Sequence, residues 1–377
     1  MLTFCDISTN APTHRGSGHS SLFFALALAW SLVSCQPIHE DIDPYQPAPV
    51  GSYAKGADCS WLTEQEHDGV LFYDSLGQSV ECMRLMRSYG MNSVRLRVFV
   101  NHRTGWCNQE DVVNKAIRAT QLGLRVMIDF HYSDYFADPS KQYAPAAWAC
   151  YDIDSMLIAV REHTTNVLSV LQQQGVQPEW VQVGNETRPG MLWPVGRLYD
   201  SNGDISGGWS RYAQLTTAGY EAVHSVFPEA SVIVHIDNAY QNNNWFFRRL
   251  RQEGGRFDMI GLSHYPMMKQ WSGKEWEEMN RLCRQHIEAL YHEFQCPVML
   301  CEIGALASNP ELAAEVLADV RQQIDTLPGF AGIFYWEPQV YHHWKPAEYV
   351  EDGWDAYDMG AFTSHGTPSI ALQVLWQ

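Results

Sequence analysis

Positive charge is scarce in this chain of 377 residues: 25 lysines and arginines stand against 43 aspartates and glutamates, giving a formal net charge of −18 at pH 7. Such a surface repels phosphates, which argues against nucleic acid and anionic membranes as partners. It also disfavours a strongly acidic polymer such as polygalacturonate, so a neutral ligand fits best. Long hydrophobic runs are missing too. The longest apolar stretch, residues 22–33, is too short to span a bilayer as a mature helix. No cysteine pair has zinc-ligand spacing, no glycine-rich phosphate loop follows any strand-like segment, and there is no internal repeat.

The short apolar run reads instead as the core of a signal peptide. It leads into Leu32-Val-Ser-Cys35, which resembles the lipobox of bacterial lipoproteins. The segment before it is long for such a peptide and holds only Arg15 and histidines as basic groups. The resemblance implies that residues 1–35 are an export signal, that Cys35 carries a lipid, and that the protein is exported and anchored to a bacterial outer membrane or cell surface. The anchor would be its only contact with a membrane. Residues 36–51 are proline-rich and read as a tether, leaving 52–377 as one catalytic domain. Seven cysteines follow the lipobox, at 59, 82, 107, 150, 283, 296 and 301, so at least one is unpaired. Export permits disulfides, and Cys107 with Cys150 would staple a loop.

Aromatic residues are abundant, with 14 tryptophans and 18 tyrosines. They serve either a large core or a groove for something flat and amphipathic, such as a sugar ring. From Tyr53 onward, β-rich runs at 53–58, 92–99, 125–132, 180–186, 232–237, 259–266, 298–304 and 332–338 alternate with helical patterns. The run from Asp111 stops at Gly123 as a helix does at a C-cap glycine, and Asn309-Pro310 offers an N-cap with proline in the first turn. Eight strand–helix units predict a parallel sheet closed into a (β/α)8 TIM barrel of the α/β class. In such barrels chemistry sits at the C-terminal strand ends. Those ends carry Asp58, Arg97, Asp129, His131, Asn185, Glu186, His235, Asp237, His264, Tyr265, Glu302, Trp336 and Glu337.

Alone, a glutamate ending a strand is a solvated loop charge. Here there are two, in Trp180-Val-Gln-Val-Gly-Asn-Glu186 and Val298-Met-Leu-Cys-Glu302, on the fourth and seventh strands. These strands face each other across a barrel mouth. Retaining glycosidases need two carboxyl groups about 5–5.5 Å apart, one a nucleophile and the other an acid/base.

Further motifs carry a specific resemblance: Lys55-Gly-Ala-Asp58, Asn92-Ser-Val-Arg-Leu-Arg-Val, and Asp129-Phe-His-Tyr-Ser-Asp134 continuing into Ala137-Asp-Pro and Pro145-Ala-Ala-Trp148. To these are added Val183-Gly-Asn-Glu186 and Tyr335-Trp-Glu-Pro338. With them the chain from Tyr53 onward resembles glycoside hydrolase family 53, the arabinogalactan endo-β-1,4-galactanases of clan A. The resemblance implies Glu186 as acid/base and Glu302 as nucleophile, acting by double displacement on the neutral galactan side chains of pectin. It implies that Asn185 binds the sugar 2-hydroxyl, that Arg97 with Arg95 keeps Glu302 ionised, and that His131 and Trp336 floor the cleaving subsite. Asp134, Asp138, Trp148 and His264 complete the implied substrate-binding set.

No cofactor and no catalytic metal is expected, and the enzyme is expected to be a monomer. Some bacterial members hold a structural calcium after strands seven and eight, where the acidic run 348–358 would supply oxygens. One departure stands out. After Glu302 the family commonly continues with threonine, an aromatic residue and a long loop; here Ile303-Gly-Ala-Leu-Ala leads quickly into a helix. Other readings stay open. A clan A enzyme for mannan or glucan would keep both glutamates. A metal-dependent hydrolase would use the strand-end histidines, yet the first strand lacks the paired-histidine motif. A non-catalytic glycan-binding lipoprotein would have lost a carboxylate.

Overall fold

Glycines and polar caps punctuate the chain into alternating strands and helices. The computed structural model describes residues 48–351 and 358–377. The segment read as an export signal, Cys35 with its expected lipid, and most of the expected tether lie outside the described residues. Eight strands follow: β1 (Ala54–Asp58), β2 (Ser93–Val98), β3 (Arg125–Phe130), β4 (Trp180–Val183), β5 (Ser231–Ile236), β6 (Met259–His264), β7 (Val298–Ile303) and β8 (Phe330–Trp336). The main helices after them are α1 (Cys82–Ser88), α2 (Gln109–Gln121), α3 (Ile153–Gln173), α4 (Gly208–Val226), α5 (Asn244–Gln252), α6 (Trp276–Phe294), α7 (Pro310–Ile324) and α8 (Ile370–Trp376). Their starts follow from local chemistry. The Asn309 side chain accepts from Leu312 N–H with Pro310 in the first turn, and the Asp152 and Glu81 side chains cap α3 and α1 in the same way.

Every barrel strand is parallel to its neighbours, and the sheet closes in the order β1-β8-β7-β6-β5-β4-β3-β2. The predicted (β/α)8 barrel is thus the observed one, in a single domain. Alternation along the strands divides the core in two. Ala54, Met127, Trp180, Ile233, Met259, Met299, Cys301 and Phe334 plug the barrel interior. The opposite faces, with Val94, Ile128, Val181, Val234 and Leu300 among them, pack under the helices. No helix among the described residues is long and apolar enough to cross a membrane.

Two local irregularities aim the catalytic end. In β7 the pairing with β6 runs from Leu300↔Leu262 to Glu302↔Ser263, so Cys301 is an extra residue with no partner on β6. Two residues opposing one is a β-bulge, which shifts the phase of alternation. Met299 and Cys301 both face inward, and the bulge lets Glu302 reach the barrel mouth while Ile303 returns to the outer layer. At the end of β4, predicted to run to 186, pairing stops at Val183. Gly184 turns the chain with φ 92°, where a Cβ would lie 2.5 Å from Thr187 Cγ2. Two short antiparallel pairs follow this turn, one between Gly190–Met191 and Gly196–Arg197, the other between Tyr199–Asp200 and Gly203–Asp204. Neither has a counterpart among the predicted strands.

The proposed cysteine staple is absent. Cys107 and Cys150 are both free, as are the other five cysteines among the described residues. The Cys107 thiol is buried, 3.5 Å from Ser60 O, whereas Cys150 is exposed.

Candidate active site

At the C-terminal end of the barrel a cavity of about 670 Å3 opens, lined by Glu186, Glu302, Asn185, His131, Asp138 and Trp336 among others. At its base lies Arg95, fully buried on β2. Its Nη1 lies 2.6 Å from Asp58 Oδ2, and its Nη2 lies 2.8 Å from Asp129 Oδ2 and 3.0 Å from Glu302 Oε1. Tyr265 Oη donates to the other Glu302 oxygen at 2.7 Å. Burial keeps the Glu302 carboxyl above its usual range, with Arg95 and the Tyr265 hydrogen bond limiting the rise.

Glu186 has no such cation among the described residues. Burial raises it well above the usual carboxylate range, and the charges of Glu302 and Asp237 push the same way, against a hydrogen bond from Ser263. Its backbone sits in the left-handed region at φ 46°. Two carboxyl groups in one cavity therefore have different environments, one cation-paired and the other surrounded by like charge. Such a split suits one to act as a base or nucleophile and the other as an acid.

Asn185 is held on both sides. Its Oδ1 accepts from Arg95 Nη2 at 2.8 Å, and its Nδ2 donates to Ala137 O at 2.8 Å. His131 Nδ1 accepts from Ala137 N–H at 2.9 Å, so Nε2 carries the proton and donates to Asp129, 3.0 Å away. Burial lowers the His131 pKa, and the ring is neutral. Burial opposes ionisation of Asp129, yet Arg95 and His131 hold it down to about 2. His235 Nδ1 lies 2.9 Å from Gln182 Nε2, 3.4 Å from Glu186 N–H and 3.0 Å from Asn185 Oδ1, an acceptor already engaged by Arg95 and Gln182. Because Ser263 donates its hydroxyl hydrogen to Glu186, we assign the His235 proton to Nε2, which donates to Ser263 Oγ at 2.9 Å.

Several residues expected at the site are elsewhere. Arg97 does not pair with Glu302. Its Nη2 lies 3.1 Å from Glu337 Oε1, and its guanidinium packs against Phe136, 4.5 Å from the ring centre. Arg95, two residues earlier, supplies the cation instead. Trp148 is buried in the outer core, edge-on to His163, and is not part of the cavity wall. His264 points away from the mouth because Ser263 takes the inward position; its Nε2 meets Asn280 Oδ1 on α6 at 2.9 Å. Asp134 spends both oxygens on backbone N–H groups, those of Asn101 and Ala146, and pins the loop after β3. Asp138 does line the cavity, with its Oδ1 accepting from Ser140 N–H at 2.7 Å.

The cavity also holds residues outside the implied binding set: Ser263, Tyr265, Asp237, Tyr240 and Trp271. Tyr265 and Asp237 carried a signal, since both sit at strand ends. Gln142 carried none. It comes from the loop after β3, and its Nε2 donates to Asn185 O at 2.7 Å and Glu186 O at 3.3 Å. The acidic run proposed for calcium lies largely outside the described residues. Glu348, within them, is buried with its Oε1 3.8 Å from Arg103 Nε. No group of three or more His, Cys, Asp or Glu able to hold a metal occurs among the described residues.

Known proteins resemble the chain throughout this barrel. The model of glycosyl hydrolase family 53 matches residues 54–375. An arabinogalactan endo-β-1,4-galactanase from Cellvibrio japonicus is 31% identical over 75% of this chain and 79% of its own length. One from Thermothelomyces thermophilus is 29% identical over 77% of this chain and 90% of its own. A solved fungal β-1,4-galactanase structure superposes with a TM-score of 0.73 at 26% identity, covering 86% of this chain and 98% of that one. With a family model spanning the whole barrel, the chain belongs to glycosyl hydrolase family 53 and is a glycosidase.

Proposed function

We propose that the protein is an endo-acting β-1,4-galactan hydrolase that works with retention, using Glu302 as nucleophile and Glu186 as acid/base. The observation that carries the residue roles is the asymmetry of the pair: Glu302 is bound by Arg95 and Tyr265, whereas Glu186 faces like charge and a serine hydroxyl. The substrate rests on the relatives named above and on the acidic, aromatic-rich composition.

In the first step the Glu302 carboxylate forms a bond to the anomeric carbon as the glycosidic C–O bond breaks, and the Glu186 proton goes to the departing oxygen. Once Glu302 is esterified its charge is gone, which lowers the Glu186 pKa when a base is needed. Glu186 then takes a proton from water, whose oxygen displaces Glu302 from the sugar. Asn185 Nδ2 keeps one hydrogen for the sugar 2-hydroxyl, and the indole of Trp336 stacks beneath the ring.

The test is product analysis on galactan, with proton NMR of the first-formed anomer, beside Glu186→Ala and Glu302→Ala. Retention by wild type and loss of activity in both variants are expected. Near-normal hydrolysis by either variant would sink the assignment. We further infer that the protein is an exported monomer anchored through a lipid on Cys35, on the strength of the Leu32-Val-Ser-Cys35 motif. Mass spectrometry of the mature N-terminus tests the anchor, and light scattering of a form lacking it tests the monomer.

A further inference from the structure

The two catalytic carboxylates divide the ring of strands into unequal arcs. Between β4 and β7 lie β5 and β6 on one side; on the other lie β8, β1, β2 and β3. Trp336 and His131 line the cavity from the larger arc, and Trp271, Tyr240 and Asp237 line it from the smaller one. The sugar that becomes attached to Glu302 rests on Trp336. The chain released with the Glu186 proton must then run over the β5–β6 arc.

Trp271 stands there on the short helix Lys269–Ser272, with 58% of its surface exposed. A lone surface tryptophan is ordinary, but this one has two further properties. It borders the cavity, and it is braced edge-on by Tyr265, with ring centres 5.8 Å apart and an interplanar angle of 84°. Tyr265 is itself fixed by its hydrogen bond to Glu302. The indole is thereby held in register with the catalytic pair while a face stays open. Lining the same cavity, Asp237, clamped by Arg188 at 2.8 Å, offers carboxylate oxygens to sugar hydroxyls.

We propose that Trp271 is the platform for the leaving-side sugar, the first residue of the released chain, and that it sets preference for a β-1,4-linked galactosyl unit there. This rests on the galactanase reading above. In a galactosyl ring the axial O4 leaves the C3, C4 and C5 hydrogens on one face, a contiguous apolar patch. That patch stacks on an aromatic face while the hydroxyls at the rim reach Asp237. The shortened segment between Ile303 and α7 gives this platform added weight, because the loop after β7 contributes little wall.

The test compares Trp271→Ala, Trp271→Phe and wild type on two substrates. One is galactan, which must place a sugar on the leaving side. The other is β-galactobiosyl fluoride, whose leaving group is too small to use the platform. Trp271→Ala is expected to lose about tenfold in kcat/KM on galactan, close to 1.4 kcal/mol, with no change on the fluoride, and Trp271→Phe to recover most of the loss. An equal fall on both substrates, or no fall on galactan, overturns the proposal. The galactanase reading is judged separately by wild type alone. If wild type cleaves another β-1,4-glycan instead, the same ratio is read on that glycan and its matching fluoride.

Discussion

Arg95 Nη2 lies 3.0 Å from Glu302 Oε1, and the same guanidinium holds Asp58 and Asp129 at 2.6 and 2.8 Å. One buried cation therefore serves three carboxylates from three strands. Its geometry fixes the Glu302 carboxylate and ties the base of the cavity to the barrel. Arginine suits this position because its planar fork offers several donors in fixed directions.

Replacing Arg95 by methionine leaves these carboxylates buried without that cation. Removing one member of a buried ion pair costs about 3–5 kcal/mol. Arg95→Met is expected to unfold at markedly lower denaturant concentration than wild type, and to lose activity even while folded. An unchanged denaturation midpoint would refute this account of the network.

Tyr265→Phe removes one hydrogen bond to Glu302 and leaves the ring in place. A hydrogen bond to a charged group is worth about 1.5–3 kcal/mol, so kcat should fall by about 10- to 100-fold. The hydroxyl lowers the Glu302 pKa, so its loss raises that pKa. The rising limb of the pH–rate profile should move to higher pH. A limb that stays fixed, or moves down, contradicts the role given to Tyr265.

Asp237→Asn acts on the other carboxyl. Glu186 is raised first by burial, then by Glu302 and Asp237. In the proposed mechanism Glu186 must be protonated for the first step, so activity is present below its pKa and lost as pH rises through it. Removing the Asp237 charge lowers that pKa, an effect reinforced by the Arg188 cation left behind. The falling limb of kcat/KM should move to lower pH, and a shift in the opposite direction would remove Asp237 from this role.

Much of this was legible in the sequence because strand period, cap residues and barrel topology are local or rule-bound. Eight β-rich runs, with helix stops at Gly123 and starts at Asn309, sufficed for the barrel. Glu186 and Glu302 were legible because polar residues ending apolar strands are conspicuous. Side-chain direction was not. A two-residue alternation places Arg95 and Arg97 on one face, but only the packing of Phe136 and Glu337 against Arg97 decides which of them meets Glu302. The bulge at Cys301 shifts the phase that sequence alternation would assign to Glu302. Gln142 reaches the site by a loop path with no periodic signature.

Trp148 and His264 supply the sharpest contrast between motif and geometry. Both belong to segments that resemble the family, yet neither borders the cavity. Trp148 lies in the outer core at 8% exposure, and truncating a buried tryptophan costs about 3–5 kcal/mol. Trp148→Ala should therefore lower the denaturation midpoint while the folded fraction keeps its KM for galactan. His264 is fully buried with Nε2 on Asn280, and burial lowers its pKa to about 4. A histidine whose folded pKa is depressed is neutral in the fold and charged in the unfolded chain. Its penalty is absent above the unfolded value, about 6.5, and grows as pH falls from there toward about 4. His264→Gln keeps a hydrogen-bonding side chain but cannot titrate, so its stability should fall less than that of wild type between those pH values. A large rise in KM for galactan in either variant would return that residue to the binding site.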